Sequence, residues 1–374
     1  MKITCLETRP DRWRLRIETV DGATGERKFA YETVQGDHEA AARRRFEILR
    51  KHDEGSFAQP SKLTVKKYLE TWLDDRQTMG IVSRLTAENE RAVIGKWIVP
   101  AFGAVKLQAL TARQIQDLYK AMLKKGLASI TVRALHQNIL RPALAEARTA
   151  NLIGANPLDG VTAPQASRPA PRAFDPATVE RLLRGLAGTW IEDISLFALG
   201  TGLRRGEACG LRWKDVDLAA RVIHVRGELV QYSDSTLEWK EPKTEAGKRK
   251  VSLPAPVVEL LSSIRGRATD LAAVRGDAYV FTDGADPIKP RALSSAFKHI
   301  ARKCGVEGRG AFHRLRHTHI TTLLQNVGRE GAKAVSQRVG HANVMITLHV
   351  YQTVFENEDA GLADLAAGLF AARK

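Results

Sequence analysis

The chain opens with a region in which basic and apolar residues alternate. From Arg12 to Ile17 the alternation has a period of two, which is typical of a β-strand with one buried face. Three arginines fall on the same face of this strand: Arg12, Arg14 and Arg16. Turn-forming residues follow at 21–25, and residues 27–34 can return as a neighbouring strand.

A helix is predicted to complete this first module. Asp37 is a suitable N-cap for a helix that continues to about Lys51. Three apolar residues of that helix are expected to cover the sheet: Ala41, Phe46 and Leu49. Residues 1–55 should therefore form a three-stranded sheet with one helix, and residues 55–61 should form a linker.

Residues 62–160 carry the longer apolar period of helices. Thr64 is predicted to cap a helix with a continuous apolar face, formed by Val65, Tyr68, Leu69, Trp72 and Leu73. A second helix is expected after Thr86 and should stop at Pro100, while Thr111 and Gln114 have the spacing of a capping box. Pro142 is expected to kink the last helix, so this region forms a helical module with basic outer faces.

A second linker, rich in Pro, Ala, Ser and Gln, covers residues 157–171. Beyond it, Asp175 and Pro176 are suited to the N-cap and first position of a helix. Short strands are predicted near residues 221–226, 237–241 and 248–253. The expected fold class is α+β and mainly helical, with a mixed α/β domain over residues 172–374.

Composition adds a basic charge to this picture. The formal net charge is +16 and the isoelectric point is about 9.9, so a polyanionic partner is expected. Most of the excess lies beyond residue 55. A basic but inert surface would give the same composition, so charge alone does not decide between the two.

Other compositional features narrow the class of protein. No run of about 18 apolar residues exists and no secretory segment opens the chain, so a cytoplasmic location is expected. Cys5, Cys209 and Cys304 lie far apart without a CxxC spacing. They are expected to be reduced thiols, and a zinc site is not expected.

Four short segments carry ordered polar residues that packing alone does not require. In chain order they are Thr201–Glu207, Glu241–Thr244, His313–Thr318, and Gly340-His341 with Tyr351 ten residues on. Each residue alone has an ordinary alternative as a solvated charge or a packed ring. His317 and His319 could with His313 suggest metal ligands, but no completing ligand set is present and packing or capping is expected.

Together these segments resemble the tyrosine recombinase family, which includes the phage integrases. TGLRRGE is similar to its first arginine box, PKTEAGKRKVSLP to its lysine hairpin, HRLRHT to its His-x-x-Arg box, and VGHANVMITLHVY to its Gly-His and tyrosine box. The resemblance covers about residues 172–355. The helical module, with its closing NLIGANP, resembles the family's core-binding domain, and residues 1–55 resemble its arm-binding domain. Two departures are Arg314, where an acidic residue is common, and Pro142 within a normally continuous helix.

The resemblance implies a site-specific recombinase that cuts and rejoins DNA through a 3′-phosphotyrosine, without a metal or cofactor. The implied catalytic residues are Arg204, Lys243, His313, Arg316, His341 and Tyr351. By the same resemblance Tyr351 is the nucleophile, Lys243 protonates the leaving 5′ oxygen, and His313 moves the phenol proton. His341 is expected to hydrogen-bond the scissile phosphate, and Glu207 either orients an arginine or is structural.

The chemistry of the residues supports these roles. Attack on a phosphodiester adds negative charge to the non-bridging oxygens, and the planar forks of Arg204 and Arg316 suit those oxygens as lysine does not. The phenol of Tyr351 is neutral at pH 7 until it attacks, and nearby guanidinium groups favour its anion. Further DNA contacts are expected from Arg12, Arg14, Arg16, Arg205, Lys248, Arg249 and Lys250.

The expected partners are double-stranded DNA attachment sites, with a homotetramer on DNA and a monomer or weak oligomer when free. DNA-bending and excisionase proteins are possible assistants, and association with the nucleoid is expected. A helix from Asn357 carries one apolar face and packs on its own domain or on a neighbouring protomer. Alternative functions are an Xer-like resolvase of chromosome dimers and a DNA-binding regulator that has lost catalysis.

Overall fold

In the computed structural model the described residues are 1–20, 26–53, 57–58, 60–165, 173–242, 245–268, 274–306 and 311–354. The chain divides into two compact units, Met1–Arg168 and Pro169–Lys374. Among the described residues of the first unit, separate hydrophobic clusters lie under the N-terminal sheet and within the helices that follow it. Each unit is therefore built around its own apolar cores.

The first unit begins with an antiparallel sheet of three strands in chain order. The strands are β1 (Lys2–Arg9), β2 (Arg12–Val20) and β3 (Arg27–Gln35), and helix α1 (His38–Asp53) follows them. Leu15 and Ile17 of β2 are fully buried, whereas Arg12, Arg14 and Arg16 are exposed. The alternation in the sequence therefore corresponds to one face on the core and one face in solvent.

Helix α1 starts as predicted but covers the sheet with a different residue. The side chain of Asp37 accepts a hydrogen bond from the Ala40 amide at 2.8 Å, as an N-cap should. Ile48 is 2% exposed beside fully buried Ala41, whereas Phe46 is 71% exposed. The prediction for Phe46 is wrong because, at about 100° per residue, it lies roughly 140° around the helix from Ala41 and Ile48 only about 20°.

Among the described residues, six α-helices follow in the first unit. They are α2 (Val65–Thr78), α3 (Arg84–Val93), α4 (Val99–Phe102), α5 (Ala112–Lys124), α6 (Ser129–Leu135) and α7 (Arg141–Thr149). Thr64 caps α2, and Thr111 with Gln114 forms both halves of a capping box on α5, as predicted. The five predicted apolar positions of α2 are all buried.

Both prolines in these helices follow a π-turn. The prediction that Pro100 ends its helix is wrong, because Ile94–Ile98 form a π-turn and Pro100 lies inside α4. His136–Leu140 form a second π-turn directly before Pro142 in α7. A widened turn accommodates a residue that lacks an N–H donor, and such turns are recognised sites of helix bending. The helix expected after Thr86 begins earlier, because Ser83 caps it.

The second unit mixes helices with short strands. Its helices are α8 (Pro176–Leu186), α9 (Glu192–Thr201), α10 (Arg205–Cys209), α11 (Ala255–Arg267), α12 (Pro290–Lys303), α13 (Ala311–Val327), α14 (Ala332–Val339) and α15 (Val344–Val354). Its strands are β4 (Val216–Asp217), β5 (Val222–Val225), β6 (Glu228–Gln231), β7 (Leu237–Lys240), β8 (Arg249–Ser252), β9 (Thr282–Asp283) and β10 (Asp286–Pro287). Strands β4, β5 and β8 form one sheet, while β6–β7 and β9–β10 are hairpins. The α+β, mainly helical fold class is confirmed.

Helices α13, α14 and α15 share a small apolar core that includes Ile320, Val339 and Val350. The apolar run at residues 344–348 predicts core positions, but Met345 is 61% exposed and Ile346 is half exposed. The expectation fails because these residues form the first turn of α15, which extends beyond the core, and only Thr347 of that turn is fully buried. Within the part of the chain that the structure describes, no helix has both the length and the apolarity to cross a bilayer.

Candidate active site

Arg204 stands at a sharp junction between two helices. Helix α9 ends at Thr201, Gly202 turns the chain with φ of +70°, and α10 begins at Arg205. A side chain at Gly202 would come within 2.5 Å of the His319 ring, so both conformation and space require glycine here. Arg204 donates from Nη1 to Glu207 Oε1 and from its amide to Glu207 Oε2, both at 2.8 Å. Its guanidinium is therefore held in a fixed direction.

Glu207 is a buried carboxylate shared by two arginines. Besides Arg204, it accepts two hydrogen bonds from Arg249, from Nη1 at 3.0 Å and Nη2 at 2.9 Å. Burial alone would raise the pKa of Glu207, but the hydrogen bonds and charge of Arg249, and then Arg204, lower it to about 2. Glu207 is thus ionised at neutral pH, and it does orient an arginine, as one of its two expected roles requires.

Arg316 is a buried cation on α13. Its side chain donates from Nη1 to the Gly202 carbonyl at 2.7 Å and from Nη2 to the Val339 carbonyl at 2.8 Å, with the residue 2% exposed. Burial and the neighbouring charge of Arg204 lower the pKa of Arg316 to about 9. That value is above neutrality, so the guanidinium stays charged.

The carboxyl end of α14 brings the arginines together. Arg249 Nε donates to the Arg338 carbonyl at 2.8 Å, Arg316 Nη2 to the Val339 carbonyl, and Arg204 Nη2 to the Gly340 carbonyl at 2.7 Å. The last carbonyls of a helix have no partner within the helix and carry its partial negative charge. Three arginines from distant parts of the chain therefore bind three consecutive carbonyls, which places Arg204 and Arg316 beside His341.

Gly340 is required at this helix end. Gly340 follows the last residue of α14 and has the left-handed backbone conformation, with φ of +69°. A Cβ atom there would lie 2.8 Å from Arg249 Nη1 and 2.9 Å from the Ala246 carbonyl oxygen. The close approach of the hairpin to the helix end thus depends on glycine.

The histidines of the site are neutral at pH 7. His341 Nδ1 lies 2.8 Å from Oγ1 of the fully buried Thr347, which fixes the ring. Burial, and then the charges of Arg316 and Arg204, lower the pKa of His341 to about 4. Desolvation and the same two arginines also lower the pKa of His313. Both rings can therefore take part in hydrogen bonds as neutral groups near pH 7.

A cleft of about 560 Å³ opens beside these residues and is lined by Arg204, Arg205 and His313. Its opposite wall belongs to α12 and contains Ser294, Ser295 and Lys298, which were not among the predicted site residues. Arg205 Nη1 donates to Ser294 Oγ at 2.6 Å. The available signal was that the sequence of α12 contains five Lys, Arg or His residues and no Asp or Glu.

The remaining predicted site residues fall in different places. Lys250 is exposed, and Lys248 is exposed beside Glu241 at 2.7 Å. Arg249 differs from its expected role as a DNA contact, because its side chain is 6% exposed and its donors bind protein acceptors. Lys243, the side chain of Tyr351 and the helix expected from Asn357 lie outside the described residues, although the backbone of Tyr351 is within α15.

The other two histidines of α13 are engaged within the protein. His319 Nδ1 lies 2.9 Å from the Leu199 carbonyl, and its Nε2 accepts from Arg338 Nε at 3.2 Å. His317 packs edge-to-face on the His313 ring with centroids 4.8 Å apart. Packing and capping therefore account for both residues.

These histidines predict a loss of stability in mild acid. Burial above all lowers the pKa of His317, His319 and His341 to about 4 each, whereas the ordinary value of about 6.5 applies in the unfolded chain. Below pH 6.5 the unfolded chain therefore binds more protons than the folded chain, and stability falls until about pH 4. We expect the melting temperature to fall from pH 7 to pH 4. The decline should be smaller in His319→Gln and unchanged in His299→Gln, an exposed control; a melting temperature that is flat with pH contradicts the assignment.

Comparison with known proteins places the chain among DNA recombinases. Residues 173–358 match the model of the phage integrase family, and residues 64–123 match that of the phage integrase N-terminal SAM-like domain. A tyrosine recombinase XerC-like protein of Caldanaerobacter subterraneus is 27% identical over 289 residues, covering 71% of this chain and 73% of that protein.

Solved structures share the fold. The Tn1549 transposon integrase, in complex with a circular intermediate DNA, matches with a TM-score of 0.65 at 23% identity, over 81% of this chain and 99% of the other. A lambda integrase tetramer bound to a Holliday junction matches with a TM-score of 0.56 at 15% identity, over 91% and 95% of the two chains. The fold seen in this chain is thus that of integrases.

Proposed function

The chain belongs to the phage integrase family of tyrosine recombinases and is a site-specific recombinase, and we propose that it integrates or excises a mobile DNA element through a covalent bond between Tyr351 and DNA. The observation that carries this proposal is the convergence of Arg204 and Arg316 on the turn at Gly340, directly before His341. Position 351 lies one helical turn beyond Thr347, the residue that holds His341. This spacing along α15 supports Tyr351 as the nucleophile of the proposed site.

The reaction is an exchange of esters. The Tyr351 oxygen attacks the scissile phosphorus, the bond to the 5′ oxygen breaks, and a 3′-phosphotyrosine remains. The phenol proton passes to His313, which is neutral, and the 5′ oxygen leaves as a hydroxyl with a proton from Lys243. A 5′ hydroxyl of the partner strand then attacks the phosphotyrosine and releases the phenol. Since one ester replaces another, no ATP is consumed.

The two arginines are set for the phosphate before DNA binds. A guanidinium has five N–H groups, and Arg316 uses one from each Nη for the carbonyls of Gly202 and Val339. Arg204 likewise donates one N–H from Nη1 to the Glu207 carboxylate and one from Nη2 to the Gly340 carbonyl. Donors remain on both side chains, and their orientation costs no rearrangement when charge develops on the phosphate oxygens.

DNA is bound along several basic surfaces in this proposal. Arg205, Lys248 and Lys250 flank the active site, and Arg12, Arg14 and Arg16 line the exposed face of the N-terminal sheet. That face also exposes Phe29, over whose ring the Arg16 guanidinium lies 4.4 Å from the centroid. A sheet with arginines and aromatic rings on one face suits a DNA groove, and this module is proposed to bind arm-type sites.

A charge substitution on the sheet tests this role. Arg14→Gln should weaken binding to a short duplex and reduce the slope of log K against log salt by about 0.9, because one phosphate contact is lost. Arg43→Gln, on the helix that packs against the other face, is the matched control and should leave the slope nearly unchanged. Equal slopes for wild type and Arg14→Gln would exclude Arg14 from the DNA interface.

The proposed assembly is a homotetramer on paired attachment sites, formed from monomers or weak oligomers. The lambda integrase tetramer on a Holliday junction supports it as a protein of the same fold. Accessory DNA-bending and excisionase proteins belong to the same proposal. Sedimentation of the free protein and of its complex with nicked attachment DNA would measure the two states.

The mobile-element assignment competes with chromosome-dimer resolution, since a XerC-like protein is among the relatives. The N-terminal sheet favours an integrase, because a resolvase that binds only core sites has no need of a further DNA-binding module. The two functions can be distinguished by PCR with outward-facing primers near the ends of the DNA segment that contains the gene. A circular junction between direct repeats would support an integrase, and no junction under any condition would favour the resolvase.

The covalent step is tested with a nicked suicide substrate made from that flanking DNA. After cleavage the short 5′ fragment diffuses away, so the protein stays attached and migrates slowly on a denaturing gel. Wild-type protein should give this adduct, with the DNA mapped to a peptide containing Tyr351. A regulator without catalysis would bind the substrate and give no adduct.

A further inference from the structure

Arg249 uses four of the five N–H groups of its guanidinium on acceptors within the protein. Its Nε binds the Arg338 carbonyl, and Nη1 and Nη2 bind the two oxygens of Glu207. Nη1 also donates to the Gly247 carbonyl at 3.1 Å. The exposed fraction of its side chain is 6%, against 44% for neighbouring Lys248. Arg249 is therefore bonded on every side by protein.

The partners of Arg249 belong to three separate parts of the site. Glu207 lies on α10 and holds Arg204, Arg338 lies in the last turn of α14, and Gly247 lies in the segment that leads from Lys243 into β8. Arg249 itself is fixed, because it opens β8 and pairs with Val225 of β5. One rigid side chain thus joins the first arginine segment, the helix end and the hairpin.

We propose that Arg249 is a positioning residue that sets the direction of the Arg204 guanidinium through Glu207, without contacting DNA. Glu207 faces Arg204 and Arg249 directly, and Arg316 is the next charge. While Arg249 occupies both carboxylate oxygens, Arg204 gives Glu207 only one Nη and keeps donors for the phosphate. Without Arg249, the carboxylate is released to bind Arg204 in a fork–fork pair, which competes with the phosphate.

The inference rests on the proposed strand cleavage and is tested on the full-length protein with the nicked suicide substrate. Arg249→Lys should cut about 10-fold more slowly and Arg249→Gln about 100-fold more slowly in a single turnover, since small misplacements of catalytic groups have effects of this size. Affinity for the uncut duplex should stay within about twofold of wild type, because a buried residue adds no phosphate contact.

Arg212→Lys is the matched control for a half-buried arginine in the same unit. Arg212 pairs with Asp277 at 2.8 Å and lies over the Trp239 ring, and none of these residues touches Glu207. The control should lower the melting temperature without slowing cleavage. If Arg212→Lys slows cleavage as much as Arg249→Lys, the effect of Arg249 is general destabilisation and the proposal fails.

Two further readouts separate positioning from structural support. Arg249→Gln removes the hydrogen bonds that most lower the pKa of Glu207, so the pKa of that carboxyl, followed by NMR, should be higher in the variant than in wild type. In addition, Arg249→Gln should cost little more in a Glu207→Gln background, because the two act as one unit. Additive effects, or an unchanged Glu207 pKa, would overturn the proposal.

The outcomes also separate this inference from the proposed function. Absence of any wild-type adduct would count against the covalent mechanism itself. A wild-type adduct together with normal cleavage by Arg249→Gln would leave the mechanism standing and remove Arg249 from it. Weakened DNA affinity with a smaller salt slope would instead make Arg249 a phosphate contact.

Discussion

Tyr351→Phe is expected to lower adduct formation below detection while leaving DNA affinity unchanged. Phenylalanine keeps an aromatic ring but lacks the oxygen that must bond to phosphorus, so no covalent intermediate can form. The backbone around position 351 is well anchored, because Val350 is buried and Thr347 holds His341. The measurement is the fraction of suicide substrate that migrates with protein on a denaturing gel, alongside a binding titration.

Tyr279→Phe is the matched control for this experiment. Tyr279 lies in the same unit, and the Arg212 guanidinium packs over its ring. The control should retain the adduct. An adduct that persists in Tyr351→Phe would identify another nucleophile and end the assignment. Mixing Tyr351→Phe with an arginine variant would further show, by restored cleavage, whether one protomer supplies the tyrosine to another.

Local signals in the sequence predicted the elements that depend on neighbouring residues. Caps at Asp37, Thr64 and Asp175, and the capping box at Thr111, involve side chains and amides three residues apart, so their spacing can be read from the sequence. The same holds for alternating or helical apolar periods. The burial of Phe46 was wrongly predicted because it depends on the angular position of the residue around the helix. The helix end at Pro100 was wrongly predicted because the π-turn before it was not expected.

Long-range contacts in the site have no comparable signal in the sequence. Motif order identified Arg204, Arg316 and Gly340 as one constellation, but their meeting at the end of α14 joins residues up to 136 positions apart. Nothing in the run Lys248, Arg249, Lys250 distinguishes the middle residue, and only the fold shows that it turns inward to Glu207. The cleft wall on α12 was missed for the same reason, since Ser294 and Lys298 are ordinary surface residues in sequence.

Arg316→Lys is expected to slow cleavage by about 10³-fold or more even though it keeps the charge. A lysine offers three donors from one atom, so it cannot serve the Gly202 carbonyl, the Val339 carbonyl and a phosphate at the same time. A buried carbonyl left without its donor costs on the order of 1–3 kcal/mol, so the melting temperature should fall as well. Burial also favours the neutral amine, which weakens stabilisation of the phosphate charge further.

Single-turnover cleavage and DNA affinity separate the two consequences of Arg316→Lys. Affinity for the duplex should fall little, because one buried cation adds little to an interface with many phosphate contacts. Arg212→Lys again controls for loss of an arginine, and comparison at a temperature where both variants are folded removes the effect of stability. Arg316 binds both the turn after α9 and the end of α14, so its loss should also loosen Arg204. The double variant with Arg204→Lys and Arg316→Lys should therefore slow cleavage by less than the product of the two separate effects. Cleavage by Arg316→Lys within tenfold of wild type would show that positive charge alone suffices, and the fork geometry would then have no part in catalysis.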